Sequence, residues 1–454
     1  MNDQKGLNYF VAAFLTLLYA FVAYDVQRYD TVALLLTYSG AFGAYLWIVR
    51  RNHDNDIRFW LYTSILARSV LVFSTPLLSD DFYRFIWDGR LLAGGHHPFA
   101  FIPSWYTENQ VPVPGLTQGL YEGLNSKDYF TIYPPVAQFV FWLAAKVSPD
   151  SIYGSVVFMK LIIFIAEIGT LFLMQKLLRR FSLPAYNVLL YAWNPLVILE
   201  LVGNVHFEGI LIFFLLLSIH LLTQEKYWQS ALAFALAICT KLLPVLLLPV
   251  MIARTGVKRS LIYYALVGNF TLLLFLPLYD PAIVYGFAQS FGYYFHKFEF
   301  NASLYYLLRT WGFWYFGYNI IQGLGWILAG IAACAILGYA YAHYKTVQTN
   351  PPGHQKHPRE RYAALPGDWM WMLLIYFFCT TTLHPWYIIT PLALSIFTKY
   401  RFMVVWTLLI FFSYAGYTNT GFVENYWITA IEYLSVITCL VYELRWKKEP
   451  AIKP

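Results

Sequence analysis

The sequence predicts an all-α fold: a polytopic transmembrane bundle of about 12 to 14 helices, with one large external loop that carries juxtamembrane helices. Three observations predict it. Of the 454 residues, 59% are hydrophobic and only 12% charged, about half the charged share of a soluble domain. Apolar runs of roughly 18 residues or more recur from end to end, long enough to cross a bilayer as helices. The alternation of a membrane β-barrel is absent, and in lipid only helices and closed barrels satisfy their own backbones. Interfacial belts and tight packing account for an aromatic share of 20%.

In chain order the expected spans are 7–24, 31–49, 59–78, 152–175, 185–201, 207–222, 260–278, 318–344, 369–383, 387–398, 402–417 and 427–444. The first reads as a retained span, since no small-residue cleavage site follows it. Between 229 and 252, Lys241, Pro244 and Pro249 interrupt the apolar run, which predicts two short or broken helices. The stretch 134–147, at about 14 residues, is short for a crossing and is expected as a helix at the outer interface. With it outside the bilayer, five basic groups fall on one side, the cytoplasmic one. They are Arg50, Arg51 and Arg58; Lys176, Arg179 and Arg180; Arg254, Lys258 and Arg259; Lys345, Lys356, Arg359 and Arg361; and Arg445, Lys447 and Lys448. The formal charge of +7 then belongs to loops, and no nucleic-acid partner is expected. Residues 1–454 read as one membrane domain, with 79–151 as the first large extracytoplasmic loop and 345–368 as a cytoplasmic loop. Cys239, Cys334, Cys379 and Cys439 lie in apolar spans without metal or redox spacing.

Charge gathers where the third span ends. Asp80, Asp81, Arg84, Asp88 and Arg90 crowd into Ser79–Arg90. A helix over 80–93 puts Asp81, Arg84 and Asp88 on one face. The alternative is a solvated cap, with Asp80 or Asp81 at the helix N-terminus and Asp81–Arg84 as a surface pair. Gly94–Pro98 and Tyr133–Pro135 divide the following loop into ordered pieces, and long ordered loops are often functional. Another outer loop holds Glu200, Asn204, His206 and Glu208, either a second acidic cluster or an ordinary polar loop. Lys241 stands in an apolar stretch, where an unpaired charge costs about 3 kcal/mol. It is expected to face a polar cavity or a partner. His296, Lys297, Arg309 and His384 are further cations at or near the outer side, while Arg68, Lys160 and Glu167, inside spans, are expected to pair with one another. Carboxylates beside cations suit displacement of an anionic leaving group: one carboxylate takes a proton from an acceptor hydroxyl, and the cations hold a phosphate.

The segment SDDFYRFIWDGRLLAGGHHPFAF at 79–101, followed by YPPVAQ at 133–138, resembles the GT-C superfamily of integral-membrane glycosyltransferases, in particular the polyprenyl-phosphomannose-dependent mannosyltransferases. Asn194-Pro195, Glu200 to Glu208, Thr240 to Pro244 and His384 to Tyr387 extend the likeness over most of the chain. His97 and Phe99 stand where Asn and Tyr are usual, which leaves the fold inference alone and loosens the one about the sugar. The resemblance implies transfer of mannose or another hexose from a polyprenyl-phosphate donor to a lipid or glycan hydroxyl, by a single inverting displacement, at the extracytoplasmic face of a bacterial plasma membrane. It implies Asp81 or Asp80 as general base or as ligand to a divalent metal such as Mg or Mn, with Asp81 favoured by its shared face with Arg84 and Asp88. Arg84, Arg90, Lys241, Arg309 and His384 would meet the donor phosphate. Glu200, His206 and Glu208 would serve the acceptor or a metal, and Trp87, Tyr133 and Trp386 would stack on sugar. A lipid-linked glycan flippase or transporter, an O-antigen ligase or polymerase, and a structural membrane protein are the rival readings. No internal repeat of the kind many transporters show is visible, a ligase or polymerase usually has its large loop late in the chain, and a scaffold has no use for the Asp81–Arg84–Asp88 stripe.

Overall fold

The computed structural model describes residues 2–51, 56–349 and 358–446. Lys356, part of the expected 345–368 loop, Lys447 and Lys448 lie outside the described residues, as does the side chain of His296. The longer helices are α1 (Asn2–Asp25), α2 (Thr31–Arg51), α3 (Ile57–Leu71), α4 (Asp81–Ala93), α5 (Pro135–Val147), α6 (Ile152–Arg180), α7 (Glu208–Leu222), α8 (Tyr227–Thr240), α9 (Val257–Phe275), α10 (Pro281–Lys297), α11 (Leu304–Phe316), α12 (Ile321–Thr349), α13 (Leu365–Cys379), α14 (Phe402–Leu409) and α15 (Tyr426–Trp446). A single short hairpin, β1 (Tyr417–Thr418) with β2 (Gly421–Phe422), is the sheet structure among the described residues.

The all-α bundle is as the hydropathy predicts. Its members divide by length: α1, α2, α6, α9, α12 and α15 are each long and apolar enough to cross a membrane. The pair Ala185–Ala192 and Pro195–Gly203, bent by 54°, makes a seventh element by the same test. Other expected spans fall on shorter helices, α7 and α14 among them. Most of α7 is buried, including Ile210, Leu211, Leu215, Leu216 and Ile219, as expected of a helix that is apolar all round. The 229–252 run breaks as Lys241 and the prolines predict: α8 ends at Thr240, and a 3₁₀ turn and a five-residue helix follow. The 134–147 stretch is α5, 13 residues long. The stretch 281–297, which falls in no expected span, is helix α10, started by Pro281 and by Asp280, whose carboxylate accepts the Ala282 N–H at 2.8 Å.

Backbone freed at the bend is satisfied from neighbouring helices, as a spanning element requires. Asn194 accepts the Leu196 N–H at 3.0 Å and donates to Thr407 Oγ1 at 2.9 Å. The hydroxyls of Tyr19 and Tyr45 donate to Trp193 O and Leu190 O. The end of α3 is closed in the same way. Lys160, wholly buried in α6, donates to Leu71 O, Ser74 O and Ser74 Oγ at 3.0, 2.6 and 2.8 Å. It thus meets a helix C-terminus, whose dipole favours a cation, instead of joining the expected trio. Arg68 and Glu167 do pair, at 3.3 Å with both fully buried, and Tyr191 donates to Glu167 at 2.6 Å. These ties fix the strand of chain that leads into α4.

Three of the basic groups meet at one end of the bundle. Arg58 and Arg179 line a single cavity, and Arg359 donates to Ser182. The opposite end of α6, about 43 Å away at 1.5 Å per residue, adjoins α5 and the 79–151 segment.

Removing one partner of a buried ion pair leaves a bare charge and costs about 3 to 5 kcal/mol. Arg68→Met is therefore expected to lower the unfolding temperature in detergent sharply, and Arg68→Met with Glu167→Gln to recover part of the loss. An unfolding midpoint at the wild-type value for the single variant would show that the pair does not hold α3 to α6.

Candidate active site

Helix α4 begins as the sequence predicts, one residue late. Its N-cap Asp80 makes no capping hydrogen bond; Ser79 Oγ accepts the Asp81 N–H at 3.3 Å instead. The two aspartates are thereby released for other partners. Asp80 pairs with Arg28 at 2.5 Å. Asp81 Oδ1 accepts from Asn125 Nδ2 at 2.9 Å and is otherwise open to a cavity of about 320 Å³.

The predicted Asp81–Arg84–Asp88 stripe divides. Arg84 pairs with Asp88 at 2.8 Å, both buried, and its Nη1 donates to Ser126 O and Tyr129 O at 3.0 and 2.8 Å. Gln138 of α5 donates to the other Asp88 oxygen at 3.0 Å. Arg84 lines the cavity and Asp88 does not. Together they clamp the 125–133 segment that forms one cavity wall. Contact between α4 and α5 depends on Gly89: a Cβ there would fall 2.2 Å from Phe141 O. Phe85 and Phe141 stack beside it with ring centroids 4.7 Å apart.

The far wall comes from late in the chain. Phe300 pairs with 380–383 through a parallel bridge to Thr382, with Leu383 N–H donating to Phe300 O at 2.8 Å. His384 and Trp386 follow directly and line the cavity. Trp386 is sandwiched between two imidazoles, His206 at 3.8 Å and His384 at 4.5 Å between centroids. Burial pushes the His384 imidazole down to about 4, against a smaller raising effect of Asp81. It is therefore neutral at ordinary pH and brings no charge to a phosphate.

Lys241 forms an ion pair with Glu208 and sits over the Tyr387 ring at 4.6 Å, meeting both alternatives the sequence left open. It stands at a junction, because Lys241, Tyr387, Ile132 and Ser290 also line a second cavity of about 450 Å³. The rest of that lining is mostly apolar, including Leu242, Leu246, Ala332 and Ile336. Glu208 lines the second cavity, and its Oε2 is buried without a partner among the described residues.

Other expected site residues stand back. Glu200 is buried behind Trp386, accepting from Tyr414 OH at 2.8 Å and lying 3.2 Å from His206 Nδ1. Val205, a β-branched residue at φ 62°, holds the strained turn that presents His206. Arg309 is tied to Glu299 and to Tyr426 and lines neither cavity, although Glu299 lines the polar one. Arg90 donates to Gly115 O, and Trp87 packs between Tyr106 and Tyr121; both also lie outside the cavities. Tyr133 lines the polar cavity. Sequence reasoning missed Arg28, Asn125, Tyr417 and Phe422, which all line it. Among the described residues no three His, Cys, Asp or Glu side chains converge to hold a metal ion.

The fold and this cavity define a polytopic helical membrane protein with a site of paired charges let into its bundle. Within that class, the chain belongs to the family described as alpha-(1->6)-mannopyranosyltransferase, N-terminal domain, whose profile matches residues 11–256, more than half of its length. That range holds Arg28, Asp80, Asp81, Glu208 and Lys241 and ends before Phe300, His384 and Tyr417. The chain is also similar to alpha-(1->6)-mannopyranosyltransferase A of Corynebacterium glutamicum, at 23% identity over 182 residues. The alignment covers 39% of this chain and 35% of that relative, so it spans about a third of the relative's length.

A depressed histidine pKa has a definite sign. As pH falls below 6.5 the unfolded chain takes up a proton at His384, whereas the folded chain does so only near 4. Folding stability is therefore lost progressively across that window. His384→Gln is expected to flatten the dependence of the unfolding midpoint on pH between 6.5 and 4. Parallel curves for variant and wild type would show that His384 is not held neutral.

Proposed function

We propose that this protein is a mannosyltransferase that moves a mannosyl group from a polyprenyl-phosphate donor to a hydroxyl of a lipid or glycan acceptor, with inversion at the anomeric carbon. One observation carries the reading: a carboxylate-lined polar cavity shares Lys241 with an apolar cavity. A ligand with a sugar, a phosphate and a long hydrocarbon tail has these three parts in that order. Family membership supports mannose as the sugar, and the relative's printed name agrees.

Asp81 acts as the base. Its carboxylate accepts the proton of the acceptor hydroxyl while that oxygen bonds to the anomeric carbon. On the opposite face the carbon–oxygen bond to phosphate breaks, and its electron pair leaves with the polyprenyl phosphate. Lys241, the cation at the junction, meets the charge that builds on that leaving group. Asp80 is already engaged by Arg28 at 2.5 Å and is less free to meet an acceptor hydroxyl. Arg84 and Asp88 keep the 125–133 wall in place and do not touch the reacting atoms. Basic residues gathered at the far end of α6 support a cytoplasmic assignment for that end. The site then opens on the extracytoplasmic side of the plasma membrane.

The test is transfer in detergent from a panel of polyprenyl-phosphate sugars. Asp81→Asn is expected to lower kcat about 10²- to 10⁴-fold, the usual contribution of a positioned base, with Asp80→Asn affecting it less. Lys241→Met is expected to weaken use of the lipid donor. Wild-type kcat in a folded Asp81→Asn variant removes Asp81 from the mechanism. Transfer from a nucleotide sugar and not from the lipid donor removes the donor assignment.

A further inference from the structure

Resting on the function just proposed, we infer that the end of the polar cavity away from Lys241 is the acceptor subsite. It is a platform for the terminal pyranose of a neutral glycan, built by Arg28, Phe300, Tyr417 and Phe422. The two ends are distinguished by their linings. Lys241 and Tyr387 line the apolar cavity as well, whereas Arg28, Asp80, Phe300, Tyr417 and Phe422 line the polar cavity alone. A tail that occupies the apolar cavity fixes where the donor enters and leaves the other end for the second substrate.

The chemistry at that end suits an uncharged sugar. Phe300 and Phe422 stack with centroids 4.7 Å apart, and Tyr417 lies 4.9 Å from Phe422. The Arg28 guanidinium sits 5.0 Å over the Tyr417 ring. Pyranose rings offer apolar C–H faces to such rings, and their hydroxyls bond to guanidinium and carboxylate groups. Arg28 is neutralised by Asp80 at 2.5 Å, so the platform offers no uncompensated cation to an anionic acceptor. An interfacial aromatic belt is the plainer account of these rings. Tyr417 and Phe422 are half-buried and line the cavity, which is not where a lipid-facing belt stands.

The platform is a built feature of the hairpin. Tyr417 pairs with Phe422 and Thr418 with Gly421, Gly421 having φ 146°. Val423 N–H donates to Gly416 O at 2.8 Å. A Cβ on Gly416 would fall 2.5 Å from the Phe422 ring, so the missing side chain is what lets that ring close over the cavity. At the tip, Thr418, Asn419 and Thr420 are exposed, leaving room and polar groups for a longer glycan.

The experiment varies a neutral mannose oligosaccharide as acceptor at fixed polyprenyl-phosphate mannose. Tyr417→Ala and Phe422→Ala are each expected to raise acceptor KM about tenfold, the loss of roughly one aromatic contact, with donor KM little changed. Tyr417→Phe, which keeps the ring, is expected to raise it less. Unchanged acceptor KM in both alanine variants, or a rise in donor KM instead, overturns the assignment. Binding of the same oligosaccharide without donor, followed by ligand-observed NMR, separates this inference from the proposed function. If the wild type transfers no lipid-linked sugar, weaker binding by both alanine variants still supports the platform, and equal binding overturns it.

Discussion

An unmet charge in an apolar interior is expensive, and the way this chain meets each one shapes the rest of the structure. Arg68 is met by Glu167, Arg84 by Asp88, Lys241 by Glu208 and Arg309 by Glu299. Lys160 is met by the carbonyl end of α3. Only Arg84–Asp88 lies within one helix, at i and i+4. Arg68–Glu167 and Lys160 tie α3 to α6, Arg84 ties α4 to the 125–133 segment, and Lys241–Glu208 ties the end of α8 to the start of α7. The charges that a bilayer makes costly are the same ones that fix where the cavity walls stand.

Within that frame two adjacent aspartates become unlike. Asp80 and Asp81 are neighbours in sequence, yet one faces a guanidinium and the other a neutral amide. The first is occupied by its ion pair, whereas the second keeps an edge open to the cavity. Ser79 makes this division possible by taking over the helix cap, a duty that either aspartate would otherwise discharge.

Much of this was legible in the sequence where the signal was local. Helix α4 was expected over 80–93 and runs Asp81–Ala93. The prolines after Lys241 end α8 where expected, and 134–147 is a short helix. The spacing argument found the right face of α4 but not the right pairing, because Arg84 and Asp88, at i and i+4, reach each other while Asp81 turns to Asn125. Helix α10 was missed: its aromatic and polar residues lack the unbroken apolar run that marks a span, and only Asp280-Pro281 announces it. Arg28 and the Tyr417–Phe422 hairpin carry no local signal at all. Their place in the cavity is decided by contacts more than fifty residues distant in the chain, between Arg28, Asp80 and Tyr417. Residue type alone allows His384 to be a cation; its burial beside Trp386 is not readable from sequence.

The junction at Lys241, where a polar cavity and an apolar one share a wall, bears on the dimension in which the protein meets its substrates. A tail of the proposed kind, seated in the apolar cavity, would stay within the hydrocarbon phase. A donor of the proposed kind would arrive and depart by diffusion within the membrane sheet, and its effective concentration would be a mole fraction among lipids. With the cavity cations already neutralised, little long-range field reaches out to gather anions from the water. Supply would then follow the composition and fluidity of the leaflet, and diluting the donor with inert lipid would slow the reaction even at constant bulk amount.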